Sequence, residues 1–347
     1  MTPTTLGRAL CGLTLAAAFS APALAQSNEL NIYSLRQTYL IQPILDAFTK
    51  ETGIKTNVIF AQNGLIERIA AEGANSPADV LLTADIGFLT SAVEQGITQP
   101  IASGVVEQNI PANYRDPAGQ WVGLTARARV IYASKERVTQ DAITYAELAD
   151  PKWKGKICVR SGQHAYNLAL LSAMIAHDGE AKAKAWLAGL KANLATKPAG
   201  GDREQAKAIF SGQCDIALGN TYYMALMAGN DKQPEQKQWA GSIKVLFPDA
   251  GGRGTHVNLS GAVLAKNAPN KGNAVKLIEF LTSDPAQKLY AELNDEYPLK
   301  AGVALSPVVQ SWGALKADPL PLAEIGKNRK RASELVDEVG FDQGPSS

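Results

Sequence analysis

The chain has 347 residues, 34 Lys and Arg against 33 Asp and Glu, and 46% hydrophobic residues. That length can hold two domains with sizeable cores, and a near-neutral chain whose Lys and Arg are spread along its length points away from nucleic acid as a partner. Past the first 25 residues no apolar run approaches the ~20 residues needed to cross a bilayer, so membrane contact must come through a protein partner rather than direct insertion.

At the N-terminus, Arg8 precedes an apolar run from Ala9 to Phe19 that ends at Ala23-Leu24-Ala25, a small-x-small cleavage pattern. Residues 1–25 therefore read as a cleaved signal peptide, with the mature chain starting near Gln26. Cys11 follows Leu10, not the small residue that a lipoprotein signal places before its cysteine, so the product reads as free of a lipid anchor. Cys158 and Cys214 remain for an oxidising compartment, where a pair is normally joined. A bridge is expected, two buried thiols that never meet being the alternative.

Short β-type runs alternate with amphipathic helices, the pattern of α/β folds with sheets covered on both faces. Leu30–Ser34 reads as a strand, and Ile41, Ile44, Leu45 and Phe48 mark a helix that Gly53 ends. Lys55–Phe60 is a strand, Gly64–Ala71 a helix, Val80–Thr83 a strand and Ile86–Glu94 a helix. The long β-rich stretch Trp121–Ala133 reads as a hinge strand that leaves one lobe and enters another. Strands at Ile157–Arg160 and Asp215–Leu218 follow, with helices at Tyr166–Ala176, Ala181–Leu190 and Arg203–Phe210. Val245–Phe247 and Ala262–Ala265 suggest a return to the first lobe, then helices at Ala274–Leu281 and Pro285–Leu293 and a helical tail from about Lys300. The basic run Lys327–Arg331 reads as a solvated helix face. These elements place one lobe in residues 26–125 plus about 250–300, and the other in about 126–249 plus about 301–347.

Two places stand out chemically. Tyr222 and Tyr223 follow the apolar strand Asp215–Leu218, and Tyr166 heads a helix after the strand Ile157–Arg160. In open α/β sheets ligands gather outside the C-terminal ends of strands, so three phenols can converge on one lobe's rim. Adjacent side chains on a regular helix diverge by about 100°, so an irregular turn is needed for both of the paired tyrosines to reach one ligand. Packing or a sugar platform is the alternative for such a pair. A phenol ionises at neutral pH when a strong cation replaces its proton, and a hard trivalent ion such as Fe3+ prefers anionic oxygen. Three phenolates would cancel its charge. A chelating anion such as carbonate could complete the shell, offset by arginines such as Arg36 after the first strand and Arg127 at the hinge, both of which could instead be surface or salt-bridged residues.

Six blocks in order carry a resemblance: Tyr33-Ser34-Leu35-Arg36-Gln37, Ala74 to Thr83, Arg127-Ala128-Arg129-Val130, Asp150 to Gly155, Asn220-Thr221-Tyr222-Tyr223 and Gly252 to Gly261. From Leu30 to about Val303 the chain resembles the periplasmic ferric-ion-binding proteins of iron ABC transporters, in the branch using three tyrosines and a synergistic carbonate. The resemblance implies a two-lobed periplasmic-binding-protein fold of type II. It also implies ferric ligation by Tyr166, Tyr222 and Tyr223, anion contacts from Arg36, Gln37 and Arg127, and a monomer that delivers Fe3+ to an ABC permease. Many relatives carry Arg-His-Tyr in the first block, where this chain has Arg36-Gln37-Thr38 with Tyr39 one place late, so Tyr39 is as fit to pack as to bind.

Other chemistries lack machinery in the sequence. Gly251-Gly252-Arg253-Gly254 has no Lys-Ser/Thr ending of a phosphate loop, His164, His177 and His256 have no zinc spacing, and no serine sits in a Gly-x-Ser-x-Gly elbow. Asp85 reads equally as a helix cap or a cleft residue. A transport role rather than an enzyme is expected. The same fold with a sugar phosphate, small anion or polyamine, a periplasmic metal-dependent hydrolase and a sensory co-receptor remain as rivals.

Overall fold

The structure is a computed structural model that describes residues 1–2 and 28–345; all but the first two residues of the expected signal peptide lie outside the described residues. Among the described residues there are ten strands: β1 Glu29–Ser34, β2 Lys55–Phe60, β3 Val80–Thr83, β4 Thr98–Gln99, β5 Val122–Ser134, β6 Ile157–Cys158, β7 Ile216–Asn220, β8 Ile243–Leu246, β9 Val257–Ala265 and β10 Tyr297–Pro298. They hydrogen-bond in the order β2-β1-β3-β9-β5-β7-β6, with β4 on β9 and β8 and β10 on β5.

All 13 residues of β5 are buried, and its register explains the two lobes. Val122 to Ala128 pairs antiparallel with β9, whereas Arg129 to Ala133 pairs with β7 and Ile131 to Ser134 with β8. The sheet thus passes from one lobe to the other between Ala128 and Arg129. Side chains alternate across the pleat. Val122, Leu124 and Ala126 enter one first-lobe core with Ile41, Ile44 and Phe48, and Ile131 and Ala133 enter a second-lobe core with Leu168, Leu171 and Trp186. Arg127 and Arg129 share the parity of Ile131 and so stand on the side covered by helix Ala165–Asp178.

Several sequence expectations shift. The expected strand at Ile157–Arg160 keeps only two paired residues, and the strand expected at Val245–Phe247 is β8, which still pairs with the second half of β5; the return comes at β9. That strand starts at Val257, before the expected Ala262, because buried Asn258 and Ser260 hide its apolar pattern. The tail is not helical from Lys300: its helices are Pro307–Gln310, Leu322–Lys327 and Arg329–Val339. Val309 packs in the first lobe, while Ala332, Leu335 and Val336 pack in the second. The basic run is not a solvated face throughout, since Arg329 pairs with Asp85 of the first lobe at 3.0 Å.

Cys158 and Cys214 form the expected disulfide, with Cα atoms 5.8 Å apart. It ties β6 to the entry of β7, the two strands that lead into the tyrosine-bearing turns. Because the bridge spans a sequence separation of 56 residues, loop-closure entropy sets the cost of its removal at about 4 kcal/mol. Denaturation of the Cys158→Ser, Cys214→Ser double variant against the oxidised protein is expected to show a loss of that size.

Candidate metal centre

Tyr166 stands in the first turn of helix Ala165–Asp178, after β6, and Tyr222 and Tyr223 stand in the first turn of helix Thr221–Ala228, directly after β7. Both helix N-termini therefore face the same cleft, and their backbone dipoles favour negative charge there. The phenol oxygens of Tyr166 and Tyr222 lie 3.1 Å apart, and the rings of Tyr222 and Tyr223 lean together with centroids 4.2 Å apart and planes at 32°. The helix starts regularly at Thr221, without the irregular turn expected, and both rings line the cleft from its first turn.

Burial pushes the Tyr222 phenol well above its ordinary range, with its Tyr166 and Tyr223 neighbours adding to the effect, and burial raises Tyr223 as well. Without a cation these groups hold their protons. His164 caps the Tyr166 helix, its Nδ1 accepting from the Tyr166 N–H at 3.2 Å. Burial and Arg160 lower its pKa to about 3, so it adds no positive charge.

The trio opens into a cavity of about 580 Å³ walled by both lobes, including Arg36, Gln37, Tyr39, Asp85, Arg127, Arg160, Ser260, Glu296 and Arg329. Arg127 is 2% exposed; its Nη1 donates to Ser260 Oγ at 2.9 Å, while its Nε and Nη2 find no partner among the described residues. Its guanidinium lies 5.6 Å from the Tyr166 ring. An oxyanion beside the phenols would satisfy those buried donors. Arg36 stands in the same wall, but its Nη1 and Nη2 donate to the Glu296 carboxylate at 3.1 and 2.9 Å. Gln37 is exposed at the lip, and Tyr39 is 59% exposed there.

Three contributors escaped the sequence reading. Arg160 ends the expected strand before Tyr166 and lies 5.2 Å from its ring, a placement the strand-end argument could have flagged. Asp202, at the start of helix Asp202–Phe210, takes Arg129 at 2.8 Å, Arg160 at 3.1 Å and the Asn220 N–H at 2.8 Å, so one buried carboxylate joins both tyrosine turns to the hinge strand. Glu296 precedes β10 with no local motif to reveal it. Asp85 does both things expected of it: it caps helix Ile86–Glu94 through the Gly87 N–H and lines the cleft.

Residues 75–315 match the family of bacterial extracellular solute-binding proteins. The chain is 45% identical to iron uptake protein A1 of Synechocystis over 91% of its own length and 88% of the relative's. Among solved structures it resembles the apo ferric ion-binding protein A of Pasteurella haemolytica, with 54% identity, TM-score 0.87 and coverage of 91% and 99% of the two chains. It also resembles a Trichodesmium protein solved with iron and citrate, with 44% identity, TM-score 0.86 and coverage of 90% and 99%. These likenesses extend over both lobes, and the chain belongs to the bacterial extracellular solute-binding proteins, among relatives that include periplasmic ferric-iron-binding proteins.

Proposed function

We propose that this protein captures Fe3+ in the periplasm and hands it to an ABC permease, acting as a carrier and not as an enzyme. The observation that supports this most is the meeting of Tyr166, Tyr222 and Tyr223 at two helix N-termini. Three phenolates would neutralise the trivalent ion, and carbonate would lie against the unpartnered donors of Arg127, with Arg36 and Gln37 in the facing wall. The lobes divide near residues 126 and 250; β5 changes partners just after the first of these, between Ala128 and Arg129, and β9 starts after the second, at Val257, and closure about those strands buries the metal. Reduction to Fe2+ by an external one-electron donor, or protonation of the carbonate and phenolates, removes the charge match and releases the ion. The relatives' names support iron as the cargo. Among the described residues no helix is long and apolar enough to cross a membrane.

Apoprotein given ferric citrate and bicarbonate is expected to develop a visible tyrosinate-to-iron absorption that saturates at one equivalent. No new absorption at stoichiometric iron would overturn the assignment.

A further inference from the structure

Four arginines line the cleft: Arg36, Arg127, Arg160 and Arg329. Three are held by carboxylates, Arg36 by Glu296 at 2.9 Å, Arg160 by Asp202 at 3.1 Å and Arg329 by Asp85 at 3.0 Å. Arg127 has Ser260 as its side-chain acceptor and leaves two donors, Nε and Nη2, with no partner among the described residues, whereas Arg36 and Arg160 each leave only a buried Nε so. Ser260 Oγ also accepts from Arg36 Nη1, so the Arg36 and Arg127 guanidiniums are neighbours around one hydroxyl. Both ends of the Arg36 fork are nevertheless turned onto Glu296, which is 4% exposed and fixed by a further hydrogen bond from Thr125 Oγ1 at 3.0 Å.

We propose that Glu296 is a specificity-determining residue: by engaging the Arg36 fork it keeps that guanidinium from joining Arg127, its neighbour around Ser260, on one anion, and so discriminates against phosphate and its esters. A small planar oxyanion is served by one guanidinium edge together with the metal. A tetrahedral dianion held without metal gains most from two forks, because each charge-assisted pair adds both neutralisation and directed N–H donors. Glu296 withholds the second fork and adds its own negative charge beside the site. The inference deepens the proposed iron reading by naming what selects the anion class.

The test uses iron-free protein and inorganic phosphate, titrated calorimetrically at fixed ionic strength. Glu296→Gln keeps the shape and removes the charge; it is expected to bind phosphate at least about tenfold more tightly than the unaltered protein, the scale of one freed charge-assisted pair. Adding Arg36→Met to Glu296→Gln is expected to cancel the gain and return affinity to within about twofold of the starting value, because a buried pair replaced as a unit leaves no stranded charge. A folded Glu296→Gln protein with unchanged or weaker phosphate binding overturns the proposal, as does a gain that survives the loss of Arg36. If Glu296→Gln does not fold, the double variant still decides: a tenfold drop below the unaltered protein would show that Arg36 already bears on the anion. Iron binding by the unaltered protein with bicarbonate is measured alongside; its failure sinks the iron reading and leaves the phosphate outcome to judge Glu296.

Discussion

Tyr222→Phe is expected to lose iron affinity by more than the ~10–100-fold typical of removing an outer partner of a metal ligand, and to weaken the visible absorption in step. Tyr222 is the middle member of the trio, 3.1 Å from the Tyr166 oxygen and stacked against Tyr223. Phenylalanine keeps the ring that packs there at 7% exposure, so the fold should remain, and one anionic oxygen disappears. Two phenolates leave a trivalent ion with one uncancelled charge in a site already rich in arginine. Competition with citrate measures the loss, and the melting temperature of the iron-free variant controls for damage to the fold. Equal affinity in a well-folded variant would remove Tyr222 from the ligand set.

The strands and helices that carry the tyrosines were legible because their physics is local. β3 and helix Ile86–Glu94 fall where apolar runs and a capping Asp85 place them, and Gly53 ends helix Thr38–Thr52 in the left-handed conformation that glycine tolerates. The placement of Tyr166 and Tyr222 at strand ends followed from the same patterns. What stayed hidden depends on contacts between distant segments. Nothing near Glu296 in sequence announces that Arg36, 260 residues away, will spend its fork there. Asp202 reads as an ordinary residue in a helix's first turn, yet it is fully enclosed by two arginines and a strand amide. The basic run at 327–331 misled because composition cannot tell a solvated arginine from Arg329, which reaches across to Asp85. β9 was shortened for a related reason: Asn258 is buried at a strand's start, donating to Asp85 Oδ2 at 2.6 Å, and such polar satisfaction is invisible to a hydrophobic pattern.

Iron retention is expected to fall steeply as the medium is acidified. Each ligating phenol gives up its proton to the solvent when the ion enters, so binding by Tyr166, Tyr222 and Tyr223 releases three protons, and affinity for free Fe3+ changes by about 1000-fold per pH unit. The sign follows from burial. Because the folded protein raises the Tyr222 and Tyr223 values, the neutral phenols contribute stability to the iron-free fold at neutral pH, a contribution lost only in alkali as pH passes through the raised values. Acid thus favours the protonated, iron-free site, and rising pH favours the ion. The thermal stabilisation that iron confers should therefore shrink as pH falls, since it depends on the ratio of ligand to Kd. Titration in weak buffer, corrected for the chelator, should count three protons per iron, and two in Tyr222→Phe. A carbonate bound from bicarbonate adds one to both counts, so the difference between the proteins isolates the phenol. Equal counts in the two proteins would mean that Tyr222 does not bind as a phenolate, whatever its distance from the metal.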